Sequence, residues 1–202
     1  DTSMREKIFQ FLKRKKFKFS ILTHPTAVIS SSAKISSGCT IHANSIINSN
    51  VVIGENTIVN NDVLIEHDCK IGKNCHIGHN SIINSNVVIG NNCSIGSNVI
   101  IRNTIIRDNV NILDGCIIGK KGFGFFPDKK KNYRYPHIGV VIIEDNCEIG
   151  CNSTIDRGSL SNTVIGANTF LDNQVHIAHN NKIGKNCIRA GQVGFALSLR
   201  HI

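Results

Sequence analysis

Isoleucine stands at 29, 35, 41, 47, 53, 65, 71, 77, 83, 89, 95 and 101, with Val59 completing the series, so a period of six is held over thirteen repeats. Two positions before each come Ala27, Ala33, Cys39, Ser45, Val51, Thr57, Val63, Cys69, Cys75, Ser81, Val87, Cys93 and Val99, all small or β-branched. A helix returns its apolar residues at about 3.6 and a half-buried strand at 2, so neither alone explains a strict six. Two inward residues at spacing 2, followed by "IGEN", "IGKN", "IGHN" or "IGNN", make a short strand and a tight corner. Asn and Gly tolerate the left-handed backbone such corners need. With aromatics at 5% and no Trp, small and β-branched side chains must fill the core.

This pattern is the hexapeptide repeat, and it resembles the left-handed parallel β-helix of bacterial acyltransferases, with three hexads to a triangular coil. The resemblance covers about residues 24–194 and implies an all-β domain of coils stacked at about 4.8 Å, with Ile ladders inside. Cys39, Cys69, Cys75, Cys93, Cys116, Cys147 and Cys187 share the small inward position, while Cys151 falls at a turn. No CxxC pair occurs, so no metal site is expected, and the thiols are expected to stay reduced.

The register slips after Ile101, resumes at Ile106, Ile112 and Ile118, and stops over 119–139, "GKKGFGFFPDKKKNYRYPHIG". It returns at Ile143, Ile149 and Ile155, steps over "DRGSLSN", and continues at Ile165, Leu171, Ile177 and Ile183. A loop that leaves a repeat array on one side is where function usually sits. Before the repeats, residues 1–23 are basic and predict a short helix with Ile8, Phe9 and Leu12 on one face.

Lys and Arg exceed Asp and Glu by nine, concentrated near the start and in the 119–139 loop. The excess suits an acidic partner: nucleic acid, an anionic membrane, a phosphorylated substrate or an acidic carrier protein. No apolar run reaches about 18 residues and no signal peptide is visible, so no membrane span is expected and the location is read as cytoplasmic.

His179 lies two residues after the inward Ile177, at a corner facing away from the core where a neighbouring chain could meet it. Around it "GFGFFPD", "TIDRGSL", "DNQVHIAHN" and "AGQVG" occur in order over about 75 residues. Together they resemble the UDP-3-O-(3-hydroxyacyl)glucosamine N-acyltransferases of lipid A biosynthesis. The resemblance implies transfer of a 3-hydroxyacyl chain from acyl carrier protein to the 2-amino group of a UDP-3-O-acylglucosamine, by a homotrimer with no bound cofactor and no nucleic-acid partner. It places the general base on His179. The role fits, because an amine attacking a thioester must lose a proton, and imidazole, with a reference pKa of about 6.5, accepts one near neutrality. Asn173, one hexad earlier, is a substrate or pantetheine contact or a turn residue. Phe123 and Phe125 belong to the segment that the resemblance puts near the acyl donor, and Lys129, Lys130, Lys131 and Arg134 are candidates for the carrier protein's acidic surface.

A second histidine competes. His67, in "VLIEHDCKIG", has the same phase, and with "ILTHPTAVIS" upstream it resembles the hexapeptide enzymes that acetylate nucleotide-linked amino sugars from acetyl-CoA. A third reading, a non-catalytic β-helical scaffold, predicts uniform faces, and the 119–139 interruption argues against it.

The lipid A enzymes carry a uridine-binding domain before the β-helix and a helical extension after it. The resemblance therefore implies a chain truncated at both ends, with residues 1–23 a helical remnant or linker and 195–202 an aberrant tail. Arg189 stands where an inward Ile or Val is expected, and Asn181 takes a small apolar position. Either is costly inside a coil unless its polar atoms find partners.

Overall fold

The computed structural model describes residues 2–196 together with 200 and 201. Each hexad folds into a two-residue strand and a corner. The strands stack into three parallel nine-stranded sheets that form the sides of a triangular prism, a left-handed parallel β-helix. The first sheet begins with Leu22–Thr23, the second with Val28–Ile29 and the third with Lys34–Ile35. Partners lie eighteen residues apart in regular coils, as in Ile82 with Ile100. The spacing drops to seventeen where the register slips, as in Ile95 with Ile112. The ladder takes in Leu22–Thr23 at one end, and Gly194–Phe195 and Arg200–His201 at the other, so it extends beyond 24–194 in both directions.

The core is the interior of the prism. Ile41, Ile47, Ile53, Ile65, Ile77, Ile83, Ile89 and their successors are buried, as are the seven inward cysteines. Burying one Ile side chain stabilises by roughly 1.5–3 kcal/mol, and stacking gives every coil the same partners above and below. The packing raises the Cys69 and Cys116 thiols to about 11, chiefly by desolvation.

The corners divide the work expected of Asn and Gly. The left-handed residue is the Asn or Asp, recurring at Asn44, Asn50, Asn56, Asp62, Asp68, Asn74, Asn80, Asn86, Asn92 and Asn98. Their side chains continue the ladder outside, as where Asn74 Nδ2 donates to Asn92 Oδ1 at 3.0 Å. The Gly before them stacks closely on the next coil instead: a Cβ on Gly72 would stand 2.4 Å from the Gly90 carbonyl oxygen unless the corner shifted.

Both polar intruders find partners, although Asn181 Oδ1 is buried without one among the described residues. Asn181 is buried and its Nδ2 donates to the carbonyls of Ala178 and Phe195 at 2.9 and 3.1 Å. Arg189 is half-buried, with its guanidinium 5.8 Å from the Phe195 ring centroid.

The helix α1 (Thr2–Arg14) lies along one prism edge, against the stacked corners at Gly38, Asn56 and Asn74 of three successive coils. Phe9 is buried over Gly38, and the Arg5 guanidinium donates to the Gly38 carbonyl, Thr40 and Asn56. Ile8 does not share the buried face with Phe9; it is 52% exposed. Adjacent helix positions are 100° apart, so a helix lying along a prism edge buries only a narrow stripe.

The irregular segments gather on one edge of the prism. The 119–139 loop leaves between a second-sheet strand, Ile117–Lys121, and a third-sheet strand, Val141–Ile143. In the next coil the "GSLSN" insertion connects Thr154–Arg157 to Thr163–Ile165 across the same edge, and one coil further His179 lies between His176–Ile177 and Lys182–Ile183.

Candidate functional site

His179 does face away from the prism core, but it is not an open corner. It is only 2% exposed, because the long loop folds back over it. Gly122 lies so close that a Cβ there would stand 2.6 Å from His179 Cδ2 and 2.9 Å from His137 Nε2. The His137 ring meets His179 edge to face at 5.1 Å between centroids, and Tyr135 stacks on His137 at 5.6 Å. These partners are distant in sequence and off the repeat, so the hexad phase alone could not reveal the cover.

The insertion fixes the loop and the histidine together. Arg157 Nε and Nη2 donate to the carbonyls of Gly139 and Ile138 at 2.7 and 3.0 Å, and the amides of Ile138 and Gly139 donate to the Ser159 carbonyl. The Ser159 backbone N–H donates to Asn180 Oδ1 at 2.8 Å, which turns Asn180 Nδ2 toward Ser159 Oγ (2.6 Å) and His179 Nδ1 (3.1 Å). The hydrogen-bond network therefore assigns Nδ1 of the neutral His179 ring as acceptor and the proton to Nε2. His179 Nε2 has no hydrogen-bond partner among the described residues. His137 is the opposite tautomer: its Nδ1–H donates to the Tyr135 carbonyl at 3.1 Å, leaving Nε2 as a buried lone pair. Desolvation holds the His137 imidazole below its ordinary value.

Beside His179 opens a cavity of about 320 Å³, lined by Phe123, Asp156, His176, Ala178, His179, Gly194 and Ala196. Asp156 is 1% exposed, opposite Lys120 in the paired strands, with the Lys120 ammonium against Oδ1. His176 Nε2 lies 3.9 Å from Asp156 Oδ2, and its Nδ1 contacts Thr154 Oγ1 at 2.7 Å. A hollow of similar size, about 330 Å³, lies between α1 and the first coil, where Arg5 is already committed to backbone and corner groups.

The structure brings some of the expected residues together and separates others. Phe123, 83% exposed, shares the cavity with His179, and Phe125 packs against it edge to face at 5.0 Å. Arg134 lies over Phe125 at 4.4 Å and donates to the Gly122 carbonyl, so it braces the loop as well as facing solvent. Lys129, Lys130 and Lys131 are exposed on the connection between the paired strands Phe125–Phe126 and Tyr133–Arg134. Asn173 is exposed one corner away, its Oδ1 accepting from the Cys151 N–H at 2.7 Å, and it does not line the cavity.

His67 occupies the same prism edge as His179 but five coils away, about 24 Å at the usual strand spacing. It is exposed, with Nδ1 2.8 Å from Asp68 Oδ2. The His67 ring and the Asn50 amide hold the Asp68 carboxyl below its usual range. Sequence reasoning missed Lys120, His137, Asp156, His176 and Asn180. Asp156 stands within "TIDRGSL", and His176 and Asn180 within "DNQVHIAHN", but the hexad phase puts all three outside the core and gives no sign of what covers them. Among the described residues no group of His, Cys, Asp or Glu could hold a metal ion.

Repeat, prism and covered edge together define a hexapeptide-repeat β-helix with a histidine-lined cavity under one covered edge. The family described as bacterial transferase hexapeptide (six repeats) matches residues 68–103, and that described as hexapeptide repeat of succinyl-transferase matches 140–173. More particularly, the chain is similar to the UDP-3-O-acylglucosamine N-acyltransferases. It is 51% identical to that of Microcystis aeruginosa over 80 residues, covering 40% of this chain and 23% of the relative. It is 52% identical to that of Dechloromonas aromatica over 85 residues, covering 42% and 24%. The matched stretch thus spans about a quarter of the length of these curated relatives.

Among solved structures, the acetyltransferase domain of PglB from Neisseria gonorrhoeae is similar at 28% identity and a TM-score of 0.57 over 58% of each chain. PerB from Caulobacter crescentus, in complex with CoA and GDP-perosamine, is similar at 26% identity and a TM-score of 0.57, over 58% of this chain and 57% of that one. The UDP-N-acetylglucosamine acyltransferase of Francisella novicida shares the fold, with a TM-score of 0.60 and 23% identity over 86% of this chain and 62% of that one.

Proposed function

We propose that this chain carries the acyl-transfer site of an N-acyltransferase that moves a 3-hydroxyacyl chain from acyl carrier protein to the 2-amino group of a UDP-3-O-acylglucosamine, with His179 as general base. The observation that carries this reading is the covered cavity in which His179, its Nε2 without a partner, meets the Phe123 loop. The relatives' name supplies the substrate class.

In the reaction the amine nitrogen bonds to the thioester carbon, the C–S bond breaks, and one N–H proton leaves. His179 accepts that proton and passes it to the departing thiolate. Accepting at Nε2 requires the ring hydrogen on Nδ1. Proton uptake therefore goes with a turn of the Asn180 amide that presents Oδ1 to Nδ1. The loop excludes water from the ring, and Phe123 and Phe125 offer an apolar surface to the acyl chain. Lys129, Lys130 and Lys131 face solvent where an acidic carrier would dock. Of the two roles open to Asn173, its amide oxygen's bond to the Cys151 N–H favours that of a turn residue.

Assembly follows from the outer face of the second sheet. Its outward row is aliphatic from Ile46 through Leu64, Ile82 and Ile100 to Ile117 before turning to Thr154, His176 and Gly194, whereas the third sheet interrupts Val52, Val88 and Ile105 with Lys70 and the first reads Thr40, Ile58, His76, Ser94 and Asn111. Such a row needs a cover, and a homotrimer of prisms side by side provides one. No helix among the described residues is long and apolar enough to cross a membrane, and both proposed substrates place the reaction in the cytoplasm.

A second reading rests on a different observation, the His67–Asp68 pair, in a chain similar to the PglB acetyltransferase domain and PerB. It makes His67 the base of an acetyl-CoA-dependent transfer to a nucleotide-linked amino sugar. One assay separates the two. The intact protein is offered 3-hydroxyacyl-(acyl carrier protein) or acetyl-CoA, each with a UDP-3-O-acylglucosamine and with nucleotide-linked amino sugars, and thiol release is followed. The leading reading expects consumption of the carrier-protein thioester. Consumption of acetyl-CoA alone supports the second reading, and release from neither donor refutes both.

A further inference from the structure

The residue following an inward Ile normally faces solvent, yet Asp156 is 1% exposed. Its strand, Thr154–Arg157, runs on past Ile155, and the 119–139 loop and the insertion close over that edge. A buried carboxylate needs partners for both oxygens. Lys120 lies against Oδ1, but neither oxygen accepts a hydrogen bond of ordinary geometry among the described residues. His176 Nε2 lies 3.9 Å from Oδ2, beyond hydrogen-bond reach. This under-satisfied carboxylate lines the same cavity as His179. Ala178, Gly194 and Ala196 leave the rest of that wall low, and a Cβ on Gly194 would meet nothing within 4 Å.

We infer that Asp156 recognises the nucleophile and selects an amine over a hydroxyl, a reading that rests on His179 being the base. Once the Asn180 amide has turned to leave Nε2 unprotonated, the cavity wall holds two acceptors, the carboxylate of Asp156 and Nε2 of His179, both buried just behind its surface. A neutral amine has two N–H hydrogens and satisfies both while its lone pair points at the thioester carbon. A hydroxyl has one hydrogen; given to His179 it leaves the carboxylate unfilled, and given to Asp156 it leaves the base without a proton to take. A site built around a substrate hydrogen discriminates strongly against analogues lacking it, because a buried polar group is left unpaired. In the transfer the N–C bond forms, the C–S bond breaks and one N–H proton passes through His179 to the thiolate. The second N–H stays on the product amide, held by Asp156 throughout.

The test uses the intact protein with its acyl carrier protein thioester, the 2-amino acceptor and the otherwise identical 2-hydroxy sugar nucleotide. In the wild type the 2-hydroxy compound should inhibit with a constant at least roughly 10-fold above the KM of the amine, the factor expected of one lost hydrogen bond to a charged group. Equal constants overturn the inference. Asp156→Asn keeps one oxygen for Lys120 and turns an NH2 to the cavity. It should lower kcat/KM for the amine by about 10- to 100-fold and collapse the amine-to-hydroxyl preference. Lys120→Met/Asp156→Leu removes the pair without leaving a lone buried charge and should collapse the preference in the same way, which covers misfolding of the single variant. Retained preference in a folded variant overturns the role of Asp156. Wild-type rates in His179→Ala would instead sink the base assignment, so the two failures are distinguishable.

Discussion

At the scale of single residues, the contrast between His67 and His179 is one atom in the following residue. Both histidines precede a left-handed residue, Asp68 or Asn180. A carboxylate accepts the Nδ1 hydrogen and leaves Nε2 ready to take a proton, whereas the amide as held by Ser159 donates to Nδ1. Asn180→Asp should therefore make the His179 imidazolium easier to form. Because the base must be unprotonated to act, the acid limb of the kcat profile should move to higher pH, by about one unit for a close carboxylate. An unmoved limb would mean that Asn180 does not govern the ring. His137 and His76 lead to a second expectation. Desolvation, the leading cause for each, holds both below their ordinary values in the folded chain. Below about pH 6.5 the unfolded chain takes up protons that the folded chain resists, so stability falls as pH drops and no gain is expected above that value. Urea midpoints at pH 7.5 and 5.5 should show a smaller acid loss in His137→Gln than in the wild type, and an equal loss would show that His137 is not the sensor.

At the scale of elements, coil and corner were legible in the sequence because a period of six has few physical solutions, and every inward Ile and Cys repeats the same environment. The division of labour at corners was half legible. Asn and Gly were both expected to relieve backbone strain, but the stacked glycines are there because the next coil's backbone is too near for a Cβ. Gly72→Ala should destabilise by roughly 1–3 kcal/mol, the usual range for overpacking, as measured by urea unfolding. A neutral result would show that the corner relaxes freely. What the repeat could not reveal is the cover over His179. Gly122, Tyr135 and His137 belong to a segment without periodicity, and Arg157 and Ser159 hold it from an insertion in the next coil. Asp156 stayed hidden for the same reason, since a residue after an inward Ile reads as solvent-facing until something folds over it.

At the scale of the whole molecule, one prism edge holds the loop, the insertion and His179, and it borders the second sheet, whose outer row is aliphatic from Ile46 to Ile117. Trimerisation through that row would set the site beside a neighbouring prism. Ile82, between Leu64 and Ile100, is the place to break it. Ile82→Glu should reduce the mass seen by light scattering at micromolar concentration from trimer to monomer without loss of the β spectrum, whereas an unchanged trimer would place the interface elsewhere. The central claim, that the covered His179 and not the exposed His67 performs acyl transfer, is met most directly by comparing two variants on one assay. With carrier-protein thioester and amine acceptor, His179→Ala should lose roughly 10² to 10⁴ in kcat with its fold intact, as expected for a lost general base, while His67→Ala stays near the wild-type rate. The reverse ranking, or equal small losses in both, would contradict the account.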